Sequence, residues 1–244
     1  MKSLSLPGRP RPYIMAHRGN RVACPENTLA AFRRALAEDA DILETDLHVS
    51  HDGAFVCIHD ATLDRTTDGR GEVETRTLAE LKTFDAGGGR PGFAGERIPT
   101  LAEAAGLLPA DRVLALELKS DRFLEPAVCR RLADELDTLG VRARTVVISF
   151  ELARVRAVRA VAPDIPIGYI TLNNPLPLVD AALFGPLWPL LVLNPLYPLL
   201  AHARGGVVCP LDPTPDSRLW LYRRLGCDAV LTDDPGTTRK ALGR

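Results

Sequence analysis

Short runs of apolar residues recur along this chain, separated by longer amphipathic stretches. The runs are continuous rather than alternating, which is typical of parallel strands covered on both faces, and the stretches between them can hold crossover helices. The runs predict eight parallel strands: Tyr13–Ala16, Ile42–Leu47, Val113–Leu118, Thr145–Ser149, Ile167–Thr171, Leu190–Asn194, Val207–Leu211 and Ala229–Thr232. Eight such units in 244 residues predict an α/β fold, a (β/α)₈ barrel.

Three of the intervening stretches have the pattern of a helix with one apolar side. Asn27 or Thr28 can cap the first of them, LAAFRRALAE. Residues Phe123 to Leu139 and Glu151 to Val161 have a similar pattern. These stretches predict helices that cover the outside of the barrel.

Residues 60–98 interrupt the alternation of strand and helix. They are rich in Gly, Thr and Asp, and only Thr77 to Phe84 resembles a helix. We expect one domain over residues 1–244, with these residues as a small inserted cap after the second strand. Loops that follow barrel strands build the catalytic face, so the cap is expected to overhang the site.

The composition points to a small-molecule substrate rather than nucleic acid. The chain has 30 basic and 31 acidic residues, so there is no excess of positive charge. Five cysteines are widely spaced without a C-x-x-C pair, and the first residues lack the apolar core of a secretory signal. These features predict a cytoplasmic protein.

The stretch from Ala181 to Ala201 is almost as apolar as a membrane-spanning helix. It contains four prolines, which remove backbone donors and interrupt any continuous helix. We therefore expect a buried strand flanked by short helical turns and no integral membrane segment. Peripheral contact with a membrane stays open, as does the oligomeric state.

Acidic and basic side chains stand at the ends of two predicted strands. Glu44 and Asp46 are two residues apart, as are Glu117 and Lys119, so each pair shares one face of its strand. Three buried carboxylates require compensation. A divalent cation bound through oxygen, Mg²⁺ or Ca²⁺, would supply it, and so would an ion-pair network with Arg18 or Lys119.

Two histidines also stand at strand or loop ends. His17 follows the first predicted strand and His59 ends the run GAFVCIHD. An imidazole can take up or give a proton near neutral pH, so the two could act as general base and general acid. Each could equally be a structural histidine. Arg18 offers a planar fork for phosphate oxygens, or a salt bridge to Asp46.

Several other polar residues have less certain roles. His48 would share the face of Asp46 only if its strand continues, and His51 falls in a polar turn. His202 is far from the other signals. Three residues at predicted strand ends are candidates for substrate contacts or for caps: Asn194, Asp212 and Asp233.

An ordered set of short motifs resembles the glycerophosphodiester phosphodiesterase family along nearly the whole chain. The motifs are HRG (17–19), PENT (25–28), ETD (44–46), DG (52–53), HDATLDRTTDGRG (59–71), IPTLAEA (98–104), LELK (116–119), ISF (148–150) and LTDDP (231–235). The resemblance implies a TIM barrel with a small cap that hydrolyses glycerophosphodiesters to glycerol 3-phosphate and an alcohol.

The resemblance also implies roles for individual residues. His17 and His59 resemble the catalytic pair, and Arg18 a phosphate contact. One divalent cation, Mg²⁺ or Ca²⁺ with Mn²⁺ as a third option, would be held by three metal ligands: Glu44, Asp46 and Glu117. Lys119 would be a further phosphate contact or a balancing charge.

The chain departs from the family pattern near its end. Where family members commonly have a W-T-V-N-like strand end, it has Cys209-Pro210-Leu211-Asp212. The aromatic wall that the resemblance implies beside the substrate is therefore missing here.

Two other functions remain as alternatives. One is a phospholipase D-like reaction on the headgroup of a lysolipid or sphingolipid, with the Leu/Pro-rich segment near Trp188 against a membrane. The other is a non-catalytic module that binds a phosphate ligand.

Overall fold

Eight parallel strands form a nearly closed barrel in the computed structural model, which describes residue 6 and residues 8–244. They are β1 (Tyr13–Ala16), β2 (Ile42–Val49), β4 (Val113–Leu118), β5 (Thr145–Ser149), β6 (Ile167–Thr171), β7 (Leu183–Pro186), β8 (Val207–Val208) and β9 (Ala229–Thr232). Their order in the sheet is β8-β7-β6-β5-β4-β2-β1-β9. The prediction of a (β/α)₈ barrel is confirmed.

Asp228 links the two end strands of this order. Its backbone N–H donates to the carbonyl of Val208 at 2.9 Å, and its Oδ2 accepts from the N–H of Val208 at 2.8 Å. The Asp228 carboxylate thus accepts the hydrogen bond of a β8 backbone N–H that would otherwise go to a neighbouring strand, where β8 is only two residues long.

Helices alternate with the strands and cover the outside of the barrel. They are α1 (Leu29–Ala37), α2 (Leu78–Leu81), α3 (Leu101–Gly106), α4 (Pro126–Thr138), α5 (Leu152–Val161), α6 (Pro189–Leu193), α7 (Tyr197–His202), α8 (Leu219–Leu225) and α9 (Pro235–Ala241). Thr28, one of the two predicted caps, accepts a hydrogen bond from the N–H of Ala31 at the start of α1. The helix predicted for Phe123 to Leu139 begins at Pro126, because Phe123 and Leu124 belong to a separate 3₁₀ turn, Asp121–Leu124.

Side chains on the strands alternate between two apolar layers. Inside the barrel, residues such as Met15, Ala115 and Ile148 form one cluster. Outside, Leu43, Leu114 and Val147 pack against the helices in another. Burial on both faces explains the continuous apolar runs in the sequence.

The segment between β2 and α3 interrupts the alternation of strand and helix, at the place where the inserted cap is predicted. It begins with strand β3 (Phe55–Cys57), which pairs antiparallel with β2. Residues 60–98 then hold a 3₁₀ turn (Val73–Thr75) and α2, whose capping box is formed by Thr77 and Glu80. A separate apolar cluster holds the segment together: Val56, Ile58, Leu63, Val73, Leu81, Ala86 and Ile98.

The sixth predicted strand, Leu190–Asn194, is wrong. The strand is Leu183–Pro186, which pairs with β6 in the register Gly168 to Leu183. Residues Pro189–Leu193 are instead α6, because a proline in the first turn of a helix loses no intrahelical hydrogen bond. A buried strand exists in this stretch, but it lies seven residues earlier than predicted, and both short helices, α6 and α7, follow it.

The seventh predicted strand, Val207–Leu211, is shorter than expected. Only Val207 and Val208 are in strand β8, and Leu211 joins the sheet through a single bridge to Leu187. Pro210 has no N–H to donate, which explains why the ladder stops before it. Within the described residues, no helix is long and apolar enough to cross a bilayer.

Candidate active site

His17 lies directly after β1 at the carboxyl end of the barrel. Its N–H donates to the carbonyl of Thr232 at 2.9 Å, and its Nδ1 lies 2.7 Å from Oδ1 of Asp233. Because the carboxylate accepts, Nδ1 carries the proton and Nε2 is the nitrogen left for a substrate. Burial lowers the pKa of His17, against the opposing effect of the hydrogen bond with Asp233.

A tight turn follows His17. Arg18 has a φ of 57° and Gly19 a φ of 79°, and a Cβ at Gly19 would meet the backbone of Ala31 at 2.6 Å. Only glycine fits there. The turn directs the N–H of Arg18 to Oε2 of Glu44 at 2.8 Å and its guanidinium to Glu26 at 2.9 Å.

Three buried carboxylates meet beside this turn. Glu44 and Asp46 point inward from β2, and Glu117 stands beside Asp46 in the register of β4. One oxygen atom from each lies within 4.8 Å of the others. The sequence-predicted metal ligands are therefore brought together at one point.

Two cations compensate part of this negative charge. Lys119 places Nζ 2.6 Å from Glu117 and 3.3 Å from Asp46, and Nε of Arg18 lies 3.2 Å from Asp46. The ion-pair network proposed as the alternative to a metal is thus present. Arg18 and Lys119 together carry two positive charges against the three carboxylates of Glu44, Asp46 and Glu117.

The excess charge appears in the pKa values of the carboxyls. Burial and the charge on Asp46 raise the pKa of Glu44 well above its usual value and that of Glu117 to about 7. Burial opposes ionisation of Asp46 too, but Arg18 and Lys119 keep its pKa lowered. The site favours one more positive charge.

The unused oxygen atoms fit a hard cation. Oδ1 of Asp46 is buried and accepts no hydrogen bond within the described chain. Carboxylate oxygens are the ligands that Mg²⁺ and Ca²⁺ prefer, whereas zinc prefers nitrogen and sulfur. The donor set thus suits the cation predicted from the sequence.

His59 follows β3 and has the same kind of partner as His17. Its Nδ1 lies 2.6 Å from Oδ1 of Asp60, which Arg65 holds through hydrogen bonds of 2.6 and 2.9 Å. Burial lowers the pKa of His59, while the charge on Asp46 and the bond with Asp60 oppose that effect. The charge on Asp46 also raises the pKa of His17, so the same carboxylate favours the protonated form of both imidazoles.

A chain of ion pairs connects the loop that carries His17 with the loop that carries His59; we call these the two histidine loops. Glu26 accepts from Arg18 at 2.9 Å and from Arg65 at 2.8 Å. Burial raises the pKa of Glu26, but the hydrogen bond from Arg65 and the charge on Arg18 lower it to about 2. The two loops are therefore held at a fixed spacing by ion pairs.

Several residues that position this site received either no role from the sequence or, like Asn27 and Asp233, a different one. Asn27, with a φ of 54°, donates to Oδ2 of Asp46 at 2.8 Å. Asp60 and Asp233 hold the histidines, and Glu26 and Arg65 hold the loops. The sequence did contain a signal for them. Most of these residues lie in the motifs PENT, HDATLDRT or LTDDP, close to a residue that was proposed for the site.

The other histidines lie away from the carboxylates or behind the site. Strand β2 continues to Val49, so His48 is buried and its Nε2 lies 3.2 Å from the carbonyl of His59. His51 is exposed in its turn. Nε2 of His202 lies 2.8 Å from Asp228 at the seam of the barrel.

The three strand-end candidates have different surroundings. Asp233 contacts His17, as described. Asn194 caps the end of α6 and donates to the carbonyl of Pro175, so its assignment to a strand end was wrong. Asp212 is buried between Arg218 and the hydroxyl of Tyr222 and fixes its own loop.

The segment Cys209 to Asp212 brings no aromatic side chain to the barrel interior. Cys209 is buried in the barrel interior, with Sγ 4.0 Å from the sulfur of Met15. Phe150 and Leu211 are the partly buried apolar side chains packed against the same interior cluster. Phe150 also lies under Nζ of Lys119, 5.8 Å from the ring centre.

The model of the glycerophosphoryl diester phosphodiesterase family matches residues 17–237. The chain belongs to this family. It is a phosphodiesterase of that class, and the resemblance predicted from the ordered motifs is confirmed. The hypothesis of a non-catalytic binding module is therefore not retained.

Relatives in this family match over most of their length. A glycerophosphodiester phosphodiesterase of Caldanaerobacter subterraneus is 35% identical over 92% of this chain and 95% of its own. A probable glycerophosphodiester phosphodiesterase 1 of Mycobacterium tuberculosis is 32% identical over 95% and 92%. The structure of an Oleispira antarctica phosphodiesterase in complex with the product sn-glycerol-3-phosphate superposes with a TM-score of 0.86, at 29% identity over 96% and 97%.

Proposed function

We propose that this enzyme hydrolyses glycerophosphodiesters to glycerol 3-phosphate and an alcohol, with His17 and His59 as its acid/base pair. One observation carries the proposal: two histidines, each held through Nδ1 by an aspartate, stand near a buried group of three carboxylates. The product named for the Oleispira antarctica structure supports this substrate class.

The cation we propose is Mg²⁺ or Ca²⁺, with Mn²⁺ as a third option, held by Glu44, Asp46 and Glu117. When bound, it supplies positive charge against a phosphodiester oxygen and so lowers the barrier to attack at phosphorus. The raised pKa of Glu117 supports the presence of such a charge, as does the buried Oδ1 of Asp46, which accepts no hydrogen bond and has only the ion pair with Lys119 at 3.3 Å.

Arg18 and Lys119 would neutralise the remaining phosphate charge. Both guanidinium and ammonium groups already lie beside Asp46, which holds them at the rim of the carboxylate group. Arginine suits two phosphate oxygens at once because its donors lie in one plane.

The histidines would move the protons of the reaction. One imidazole takes a proton from the attacking oxygen as that oxygen bonds to phosphorus. The other gives a proton to the departing alcohol as its bond to phosphorus breaks. Asp60 and Asp233 orient the rings so that each Nε2 serves this exchange.

A panel of glycerophosphodiesters tests the reaction. We expect glycerol 3-phosphate as the phosphorylated product, detected with a coupled dehydrogenase, and the free headgroup alcohol in equal amount. Lysophospholipids and sphingolipids in the same panel test the phospholipase D-like alternative. Release of a phosphorylated headgroup, or turnover of lysolipids alone, would contradict the proposal.

The predicted cytoplasmic location stays a prediction. It is compatible with the cysteines, because all five are free and buried thiols.

A further inference from the structure

Most of the exposed large apolar side chains come from two neighbouring segments. We call them together the leucine face, which consists of Leu172, Leu176, Leu178, Val192, Leu193, Leu196, Leu199 and Leu200. Leu193 is 77% exposed and Leu199 is 64% exposed. In the rest of the described chain, three such side chains are scattered singly: Val22, Leu124 and Trp220.

Hydrogen bonds join the two segments into one surface. Asn194, between α6 and α7, donates to the carbonyl of Pro175 in the loop after β6 at 2.8 Å. Arg204, just after α7, donates to the carbonyl of Leu178 at 3.2 Å. The loop of residues 172–178 therefore lies against α6 and α7, and their exposed leucines form a continuous patch.

The short helices are apolar on both sides. Leu190, Leu191 and Tyr197 point into the protein and are buried. The opposite sides, which face solvent, carry Val192, Leu193, Leu196, Leu199 and Leu200. A helix at a protein–water boundary normally has a polar outer side, so this surface is built for an apolar environment.

The leucine face adjoins the catalytic end of the barrel. The loop of residues 172–178 starts where β6 ends, and α6 follows the end of β7. The carboxyl ends of these strands are the ends at which His17 and Glu117 also stand. The part of the leucine face formed by Leu172 and α6 therefore lies beside the opening of the site, whereas Leu178 and Arg204, which precede the starts of β7 and β8, lie toward the other end of the barrel.

The charges around the leucine face favour an anionic partner. Asp180 is the only acidic residue from 172 to 204, and Arg159 pairs with it at 2.8 Å. Arg204 and Asp180 both line an open groove of about 380 Å³ at the edge of the face. Arg159 balances Asp180, whereas Arg204 has no carboxylate partner within the described chain. An apolar centre with a cationic edge is the pattern of proteins that rest on anionic membranes.

We propose that the leucine face docks this enzyme on an anionic phospholipid bilayer. A second copy of the chain fits less well, because a two-fold interface would bring the two Arg204 edges onto the same surface. The chemistry agrees with a bilayer, since a glycerophosphodiester is a glycerophospholipid without its two acyl chains. Deacylation at a membrane is thus the class of reaction that supplies the substrate.

Flotation with phospholipid vesicles tests the docking. We expect the protein to float with vesicles of phosphatidylcholine and phosphatidylglycerol and to bind less to phosphatidylcholine alone. The double variant Leu193→Asn and Leu199→Asn should bind at least about tenfold more weakly, because it removes two apolar side chains from the contact. Leu124→Asn is the matched control, since it removes an exposed leucine from another surface.

The charge requirement has its own pair of variants. Arg204→Gln should reduce the preference for phosphatidylglycerol, whereas Arg33→Gln, an exposed arginine on α1, should not. Turnover of a soluble glycerophosphodiester should stay unchanged in all four variants, which shows that they fold. This readout is separate from binding, so failure of docking and failure of the proposed reaction are distinguishable.

Two results would overturn the proposal. The first is wild-type protein that turns over a soluble substrate but does not float with either kind of vesicle. The second is a dimer that sedimentation shows to dissociate in the Leu193→Asn and Leu199→Asn double variant, which would assign the leucine face to a second copy.

Discussion

Asp233 Oδ1 lies 2.7 Å from Nδ1 of His17 and so leaves Nε2 as the ring nitrogen that can exchange a proton with a substrate. The two residues are 216 positions apart in the chain and meet because β9 pairs with β1. His59 has the same arrangement with its direct neighbour, Asp60. Each histidine of the proposed pair thus has a carboxylate that holds its tautomer.

Asp233→Asn should impair His17 without removing it. The carboxylate raises the pKa of His17 against the effect of burial, so its loss should move the His17 limb of the pH profile to lower pH. We expect kcat to fall by at least about tenfold, since the imidazole loses its oriented partner. The measurement is kcat/KM against pH.

Asp234→Asn is the control for this variant. Asp234 caps α9 by accepting from the N–H of Thr237, and asparagine caps a helix about as well as aspartate, so the stability should change little. The pH profile should not move. An unshifted profile in Asp233→Asn as well would count against a positioning role for Asp233.

Removal of divalent ions should abolish activity. Glu44, Asp46 and Glu117 present three buried oxygen ligands within 4.8 Å, and Arg18 and Lys119 balance only part of their charge. Mg²⁺, Ca²⁺ and Mn²⁺, added back separately, should show which ion restores turnover. Glu117→Gln should weaken cation binding measured by calorimetry, whereas the exposed Glu125→Gln should not. Full activity after exhaustive chelation would refute this part of the proposal.

Cation affinity should increase as the pH rises through about 7. Burial raises the pKa of Glu117 to about 7, so below that pH a proton occupies a carboxyl that the cation needs. Binding at about pH 6 should therefore release more protons than binding at about pH 8. Calorimetry in two buffers with different ionisation enthalpies measures the released protons. Equal release at both pH values would show that Glu117 does not titrate in this range.

Acid should weaken the contact between the two histidine loops. The pKa of Glu26 is about 2 in the folded protein against an ordinary value of 4.5, because Arg65 and Arg18 outweigh the effect of burial. A lowered pKa contributes stability that is fully present above pH 4.5 and is lost as the pH falls towards 2.

Urea unfolding at about pH 6 and about pH 3 measures this contribution. We expect Glu26 to account for at most about 2 kcal/mol of the loss, after screening by solvent. Glu26→Gln should therefore lose less stability over this range than the wild type, and Glu125→Gln should behave like the wild type. The same pH dependence in wild type and Glu26→Gln would contradict the ion-pair role of Glu26.

The apolar runs predicted seven of the eight barrel strands because most of those strands are buried on both faces. The missed strand, Leu183–Pro186, is four residues long and contains Gly185 and Pro186, which argue against a strand. Its neighbour Leu190–Asn194 looked better by composition. What decides the outcome is pairing with β6, a tertiary contact that the local pattern does not contain.

The proposed ligands and histidines were recognisable because each stands at or beside a strand end in a short motif. Their partners were harder to predict. Asn27 reaches Asp46 through a backbone conformation with positive φ, and His48 lies on the inner face only because β2 runs to Val49. Such roles depend on distances across the barrel mouth, which spacing along the chain does not determine.

Turnover of a glycerophosphodiester by His17→Ala and His59→Ala tests the central proposal most directly. The assay should use protein with measured cation content, and His51→Ala is the matched control because His51 is exposed in a turn away from the carboxylates. We expect kcat to fall by about 10² to 10⁴-fold in both variants and to stay near the wild-type value in the control. Near-normal turnover in His17→Ala and His59→Ala, with the cation still bound, would contradict the assignment of the acid/base pair.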